Sequence, residues 1–209
     1  MLTHWLPCLA IVSFVIVAVF LRGWLQYLRS GHSGIVLFRS TEKRQLIRDA
    51  IFCLVLSATV AQTIVFALRP DWLSSWLFIQ MPGWAILLAS IVTVIGFAFT
   101  VAAQLGLGKS WRIGIDEDAC PGLVTAGLYQ ICRNPIYLGM LTFLAGVTFL
   151  LPTWFSFAIT LGVFVCIRTQ TIQEEMYLQR MYGEGFRRYA ARVGRFVPGI
   201  GKLSFQPSK

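Results

Sequence analysis

Charge is what this chain has least of. Only 13% of its 209 residues are Asp, Glu, Lys or Arg, and 56% are hydrophobic. A soluble domain carries about 25% charged residues. Between Arg133 and Arg168 lie 34 residues (134 to 167) without one Asp, Glu, Lys or Arg. No charged, mixed-composition stretch is long enough to hold a core of its own, so no separate soluble domain is expected. Histidine is almost missing. His4 and His32 lie far from the acidic residues, so no metal site and no Ser-His-Asp or Cys-His arrangement is expected. The five cysteines are scattered, odd in number and form no Cys-x-x-Cys, so no disulfide framework is expected. No internal repeat or low-complexity segment stands out.

What is present is apolar sequence in runs long enough to cross a bilayer. Segments at about 5–21, 47–68, 83–105, 136–151 and 153–170 read as membrane spans. The first has no basic residue before it, and Arg22 follows it, so it reads as a span rather than a signal peptide. The uncharged stretch after Arg133 would measure about 51 Å as one helix, against roughly 30 Å of hydrocarbon. It should therefore fold back on itself, with Pro152 marking the turn.

The basic residues are not spread evenly over the connecting segments. Six follow the first span, and one, Arg69, lies between the second and third. Three (Lys109, Arg112 and Arg133) lie before the fourth, none at the hairpin tip, and eight from the fifth span onward. One face thus holds 17 of the 18. By the positive-inside rule, the 22–48 loop, the 106–135 loop and the C-terminal tail are cytoplasmic, with the N-terminus outside. The net charge of +9 is then an orientation signal, and no nucleic-acid partner is expected.

Both ends of the uncharged stretch carry polar groups, and the hairpin should bring them to the same face. Pro135 disfavours helix at Asn134, so a helix should begin at Pro135 or Ile136. Its exposed N–H groups suit a carboxylate. Arg133 is either a bidentate carboxylate contact or a positive-inside anchor. Tyr137 is either an aromatic wall or an interfacial belt residue.

Glu174 and Glu175 project about 100° apart on a helix. One can face a site while the other holds the tail; alternatively both pair with arginines, such as Glu174 with Arg168. Leu178, Tyr182, Phe186, Tyr189 and Val193 form one helix face, with arginines interspersed, which predicts an amphipathic helix on the cytoplasmic membrane surface. Glycines at 106, 108, 114, 122 and 127 allow close backbone approach to a ligand or belong to an ordinary loop. Asp116-Glu117-Asp118 reads as solvated charge, and Lys109 and Arg112 as headgroup contacts. The expected fold is an all-α integral membrane protein of five transmembrane helices. The last two form a short helical hairpin, followed by a cytoplasmic amphipathic C-terminal helix.

Three motifs in order, Leu123-Val124-Thr125-x-Gly127-x-Tyr129, Arg133-x-Pro135-x-Tyr137-x-Gly139 and Glu174-Glu175, are followed by Tyr182-Gly183, Tyr189, Val193 and Pro198. Over about 106–198 this pattern resembles the isoprenylcysteine carboxyl methyltransferase family and related phospholipid methyltransferases. The resemblance implies S-adenosylmethionine as cofactor, bound at the cytoplasmic face. It implies a lipophilic methyl acceptor entering from the bilayer, membrane lipids as neighbours, and no metal.

Residue by residue, the implied cofactor contacts are Gly122, Leu123, Val124, Gly127, Tyr129, Arg133, Asn134, Pro135, Tyr137 and Glu174, with Asp116 a further polar position. Arg168 and Glu175 are the implied catalytic residues. Residues 1–105 would supply three transmembrane helices and a basic loop. Residues 106–209 would form the catalytic region, within one structural domain overall. A bacterial inner membrane is expected ahead of the endoplasmic reticulum.

Two positions depart from the family. Asn134 stands where His is usual, and cannot ionise near neutral pH. Gln170 stands where the isoprenylcysteine enzymes place an Arg for the substrate carboxylate, with Arg168 two residues earlier. An NADPH-dependent sterol-reductase-like enzyme and a non-catalytic membrane scaffold remain as alternatives at this point.

Overall fold

Small residues, rather than large ones, set the closest helix pairing. In the computed structural model, which describes residues 3–31, 34–35, 37–38, 43–74, 80–111 and 122–204, helix α5 (Gly83–Leu107) lies antiparallel to α6 (Pro135–Leu150). The α5 residues turned inward are Ala85, Ala89, Thr93, Gly96, Thr100 and Ala103, with Gln104 near its end. Three glycines permit backbone contact. A Cβ on Gly96 would fall on the backbone nitrogen of Phe143. One on Gly139 would lie 2.5 Å from the Thr100 hydroxyl and 2.7 Å from its backbone nitrogen. One on Gly146 would lie 2.6 Å from the Thr93 nitrogen. In lipid there is no hydrophobic drive between helices, so dispersion at close approach has to hold them.

The N-terminal rod packs against this pair. It consists of α1 (Leu6–Phe14), a π-helical stretch (Val15–Leu21) and α2 (Arg22–Ser30) in continuous succession. Ile11 joins Phe143 and Val147 in a core cluster with Phe14, Val60 and Phe97 around it. The Phe14 and Phe143 rings stack at 4.3 Å. Helix α3 (Lys43–Leu68) completes the bundle, followed by a short α4 (Pro70–Ser74).

Among the described residues, four segments are long and apolar enough to cross a membrane: Thr3–Arg29, Gln45–Leu68, Gly83–Leu107 and Trp154–Arg192. Helix α6 is apolar but has only 16 residues. The protein is helical and membrane-integral.

Arg22 is not a loop residue, as its position after the first apolar run suggested. The helix continues past it and buries it. One Nη donates to Gln26 at 3.0 Å, the other to the Gly108 carbonyl at 2.6 Å, and the guanidinium lies 4.6 Å from the Trp111 ring. The carbonyls at the end of α5 lack helical partners, and the arginine supplies donors there. That accounts for a buried cation so near the apolar run.

The hairpin turns where Pro152 predicts. Helix α6 ends at Leu150, and α7 (Trp154–Arg192) starts after Thr153, whose hydroxyl accepts from Ser156 N at 3.0 Å. Gln62 of α3 braces this turn, donating to the Thr153 hydroxyl at 2.6 Å and the Ser156 hydroxyl at 2.9 Å. Gln62→Leu is expected to cost about 1 kcal/mol, the scale of interhelical polar contacts in lipid. A thermal melt in detergent would show it as a fall of a few degrees.

The last span and the expected amphipathic helix are not separate elements. Helix α7 runs for 39 residues with one break, at Gly183 (φ 51°, ψ −119°). Only glycine adopts that conformation without strain. Past the break, the apolar stripe packs inward: Phe186, Tyr189 and Ala190 form a cluster with Leu123, Leu178, Tyr182, Val193 and Leu203. Much of the helix's apolar face covers the protein's own Leu123 and Leu203.

Candidate functional site

Pro135 is the first residue of α6, as its fixed φ favours. The segment before it is held by the tail. Arg133 N donates to Gly194 O at 2.9 Å and Asn134 N to Arg195 O at 3.1 Å. This short parallel pairing brings the start of α6 against the end of α7. The two polar clusters therefore do meet.

Their centre is Arg133, which is buried with Glu175. All five guanidinium donors are used. Nε and Nη2 reach Glu175 Oε1 at 3.0 and 2.8 Å, Nη1 reaches the carbonyls of Ala190 and Val193 at 3.0 and 2.5 Å, and Nη2 also reaches Gly201 O at 3.1 Å. Arg195 approaches Glu175 from its other side, with Nη2 at 2.8 Å from Oε2. Asn134 Nδ2 donates to Arg195 O at 3.1 Å and lies 3.4 Å from Glu175 Oε1. Glu175 thus joins α7, the entry to α6 and the tail at one point.

Glu174 projects elsewhere. Its Oε1 accepts from the Tyr137 hydroxyl at 2.7 Å and from Gln170 Nε2 at 3.0 Å. Arg168 is exposed. It stands two positions before Gln170, so about 200° around the helix from it, and it does not line the cleft described next.

A partly open cleft of about 160 Å³ lies beside these residues. Gly122, Leu123 and Val124 form one wall, and Glu174, Glu175, Tyr177 and Leu178 of α7 another; Tyr129, Arg133 and Asn134 are at its base. Leu107, Ser110, Phe186 and Tyr189 also line it. The first two follow from the end of α5, and were not singled out in the sequence. Their signal was only adjacency to the Gly108 turn (φ 56°).

Tyr129 sits in a single 3-10 turn, Gly127–Gln130, that starts from Gly127 at φ 60°. Its hydroxyl donates to Ala103 O at 3.4 Å, and its carbonyl accepts from the Tyr189 hydroxyl at 2.6 Å. Burial, first, and then the neighbouring Tyr189, Cys132 and Glu174 push the Tyr129 hydroxyl far above its ordinary range. It is a neutral hydrogen-bonding group at any physiological pH. Burial likewise raises the Cys132 thiol, against a smaller opposing effect of the Asn134 backbone N–H.

The cleft thus gathers Gly122, Leu123, Val124, Tyr129, Arg133, Asn134 and Glu174 from the residues expected around a cofactor, with Glu175 beside them. Tyr137 reaches it through Glu174. Gly127 and Pro135 shape the backbone without lining it. Asp116, with Arg112, Glu117 and Asp118, lies outside the described residues.

Residues 83–185, which include both α5–α6 and the Glu174–Glu175 pair, match the family described as phospholipid methyltransferase. Over just under half of its length the chain is thus similar to that family of membrane methyltransferases. Protein-S-isoprenylcysteine O-methyltransferase A of Arabidopsis thaliana is 30% identical over 115 residues, which are 53% of this chain and 57% of that protein. Methanethiol S-methyltransferase of Pseudomonas deceptionensis is 33% identical over 73 residues, 35% of this chain and 27% of that one.

The solved structure of the eukaryotic intramembrane Ras methyltransferase, isoprenylcysteine carboxyl methyltransferase, superposes with a TM-score of 0.58 at 19% identity. It covers 95% of this chain and 70% of that chain. The likeness in fold therefore extends over the N-terminal helices, where the sequence pattern carried only apolar runs.

Proposed function

We propose that this chain is an S-adenosylmethionine-dependent membrane methyltransferase that methylates a lipophilic acceptor. The observation that carries the reading is the cleft itself. The residues matching the family's cofactor motifs come from three separate stretches, 122–129, 133–137 and 174, and they line or border one concavity.

The donor set suits such a cofactor. The Glu174 carboxylate is held in place by two donors and lies in the wall, where it can accept hydrogen bonds from an amino or ribose group and lower the cost of a nearby positive charge. Gly122 leaves its backbone open to approach, with nothing within 4 Å of where a Cβ would be. Tyr129 offers a neutral aromatic surface. When bound, S-adenosylmethionine supplies an already activated methyl group on a sulfonium. The protein's part is then to hold the two reactants in line, which can contribute several kcal/mol, and to keep the site dry.

Glu175 is assigned to positioning in this reading. Both its oxygens accept from guanidinium groups, so it holds the start of α6 and the tail under the cleft. Arg168, on the outer face of α7, is assigned to the lipid headgroup region rather than to chemistry. In this reading the cleft faces the cytoplasm, in keeping with the distribution of basic residues, α6 is a fifth, short span and the chain is a single domain. A thiol, as named for the Pseudomonas relative, and a protein S-isoprenylcysteine methylated on oxygen, as named for the Arabidopsis relative, are two precedents for what is methylated.

Calorimetry on the detergent-purified protein tests this. S-adenosylmethionine or its demethylated product is expected to bind, and Glu174→Ala to weaken binding about tenfold or more, the scale of a lost charge-assisted contact. Absence of binding by the unmodified protein, with NADPH binding in its place, would overturn it.

A further inference from the structure

One wall of the cleft is anchored by a residue of the N-terminal rod. Leu107 and Ser110 line the cleft, and between them the chain turns at Gly108 (φ 56°). The Gly108 carbonyl accepts from Trp111 N at 3.4 Å and, at 2.6 Å, from an Nη of Arg22. The same Nη lies 3.4 Å from the Gln104 carbonyl in the last turn of α5, and Gln26 holds the other. The guanidinium lies over the ring of the buried Trp111. A second link has its donor on α5: Gln104 Nε2 donates to the Ala18 carbonyl at 3.0 Å, inside the π-helical stretch of the rod. The rod and the end of α5 are thus clasped twice, at the turn that carries Leu107 and Ser110.

Stability alone is a poor reason for this arginine. It lies within a membrane-spanning segment and is 3% exposed. An apolar side chain would fill the position without the desolvation cost of a buried cation. Ionisable groups within spans mark functional sites, as π-helical interruptions often do. What the arginine adds is donors in a fixed fork, aimed at carbonyls that a helix end leaves without partners.

We infer that Arg22 is a positioning residue for the cleft: it holds the Leu107–Ser110 wall in the geometry that receives the cofactor, so the first helix takes part in binding without lining the site. The identity of that ligand rests on the methyltransferase reading above. Without the guanidinium the turn samples other conformations, and apparent affinity falls with the fraction of molecules left in the competent one. Loss of a charge-assisted hydrogen bond makes that fraction about one in ten.

Two measurements on the full-length protein in detergent, made well below its melting temperature, provide the test. Amide hydrogen exchange over residues 104–111 needs no ligand. Arg22→Met is expected to speed it about tenfold, and Arg22→Lys, which keeps a charged donor for the Gly108 carbonyl but not the fork, about threefold. Titration with the demethylated cofactor product should show Kd rising in the same order, about tenfold and about threefold. Gln62→Leu, at the Pro152 hairpin, is the stability control. It lowers the melting temperature yet is expected to leave both readouts within about twofold.

Unchanged exchange in both Arg22 variants overturns the inference, and so does faster exchange with unchanged affinity. An equal loss of affinity in Gln62→Leu also overturns it, because general loosening would then suffice. Should Arg22→Met not be recovered folded, Arg22→Lys decides alone by the same two readouts. If the unmodified protein binds neither S-adenosylmethionine nor its product, the methyltransferase reading falls, while exchange still decides whether Arg22 holds this wall.

Discussion

Gly139→Val is expected to prevent α6 from docking on α5. The Cβ alone would lie 2.5 Å from the Thr100 hydroxyl and 2.7 Å from its backbone nitrogen. The obstacle is backbone, so no side-chain rotation relieves it, and two helices must separate. Overpacking a well-packed site costs about 1–3 kcal/mol, and a clash against main chain belongs at the upper end or beyond. Total stability is only about 5–15 kcal/mol.

The functional consequence follows from position. Gly139 lies less than one turn from Tyr137, so displacing α6 also displaces the Tyr137–Glu174 contact and the entry segment at Arg133. Detergent-extracted yield and thermal melts, followed by cofactor titration, would show loss of both. Gly162, on α7 with nothing within 4 Å of its Cβ position, provides the control: Gly162→Val is expected to change stability by less than about 1 kcal/mol. Equal damage at both glycines would reject close packing as the reason.

The second large effect is expected at the Arg133–Glu175–Arg195 cluster. Arg133→Met leaves the buried Glu175 with one cationic partner, Arg195, and strips a donor from three carbonyls. Removing one member of a buried ion pair costs roughly 3–5 kcal/mol, more than any exposed pair such as Arg188–Glu184, with its 3.6 Å separation and open setting. The tail from Val193 to Leu203 should then come loose, because Arg133 binds it at Val193 and Gly201.

Glu175→Gln separates positioning from proton transfer. As a positioning residue, it lowers the melting temperature and weakens cofactor binding together. A stable Glu175→Gln protein that binds cofactor normally but turns over far more slowly would instead make Glu175 a catalytic group.

Much of the site was legible because its residues sit in short runs with strong local chemistry. Pro135 marks a helix start by its own ring, and Pro152 marks a turn. Glu174 and Glu175 must point apart on any helix, and they do: one to Tyr137 and Gln170, the other to two arginines. Which one faces which way is not a local property. It depends on the α6–α7 crossing and on a tail that returns to pair with residues 133–134.

Arg22 and Trp111 show the same limit. Arg22 lies about 90 residues from Trp111 in sequence, and nothing near either one announces that the helix would bury the charge and give it the end of α5 to bind.

The sequence by itself determined that the chain is a helical membrane protein, where its hairpin turns, and which motifs resemble those of a methyltransferase family. Composition, periodicity and proline all act within a few residues, so they survive without knowledge of the fold. The tertiary structure alone decided that Arg133 is spent on holding the tail, that the apolar stripe of the last helix covers Leu123 and Leu203, and that Arg168 stands outside the cleft. Those outcomes depend on which distant groups satisfy a buried charge or cover an apolar face, and only the packed chain brings those groups within reach.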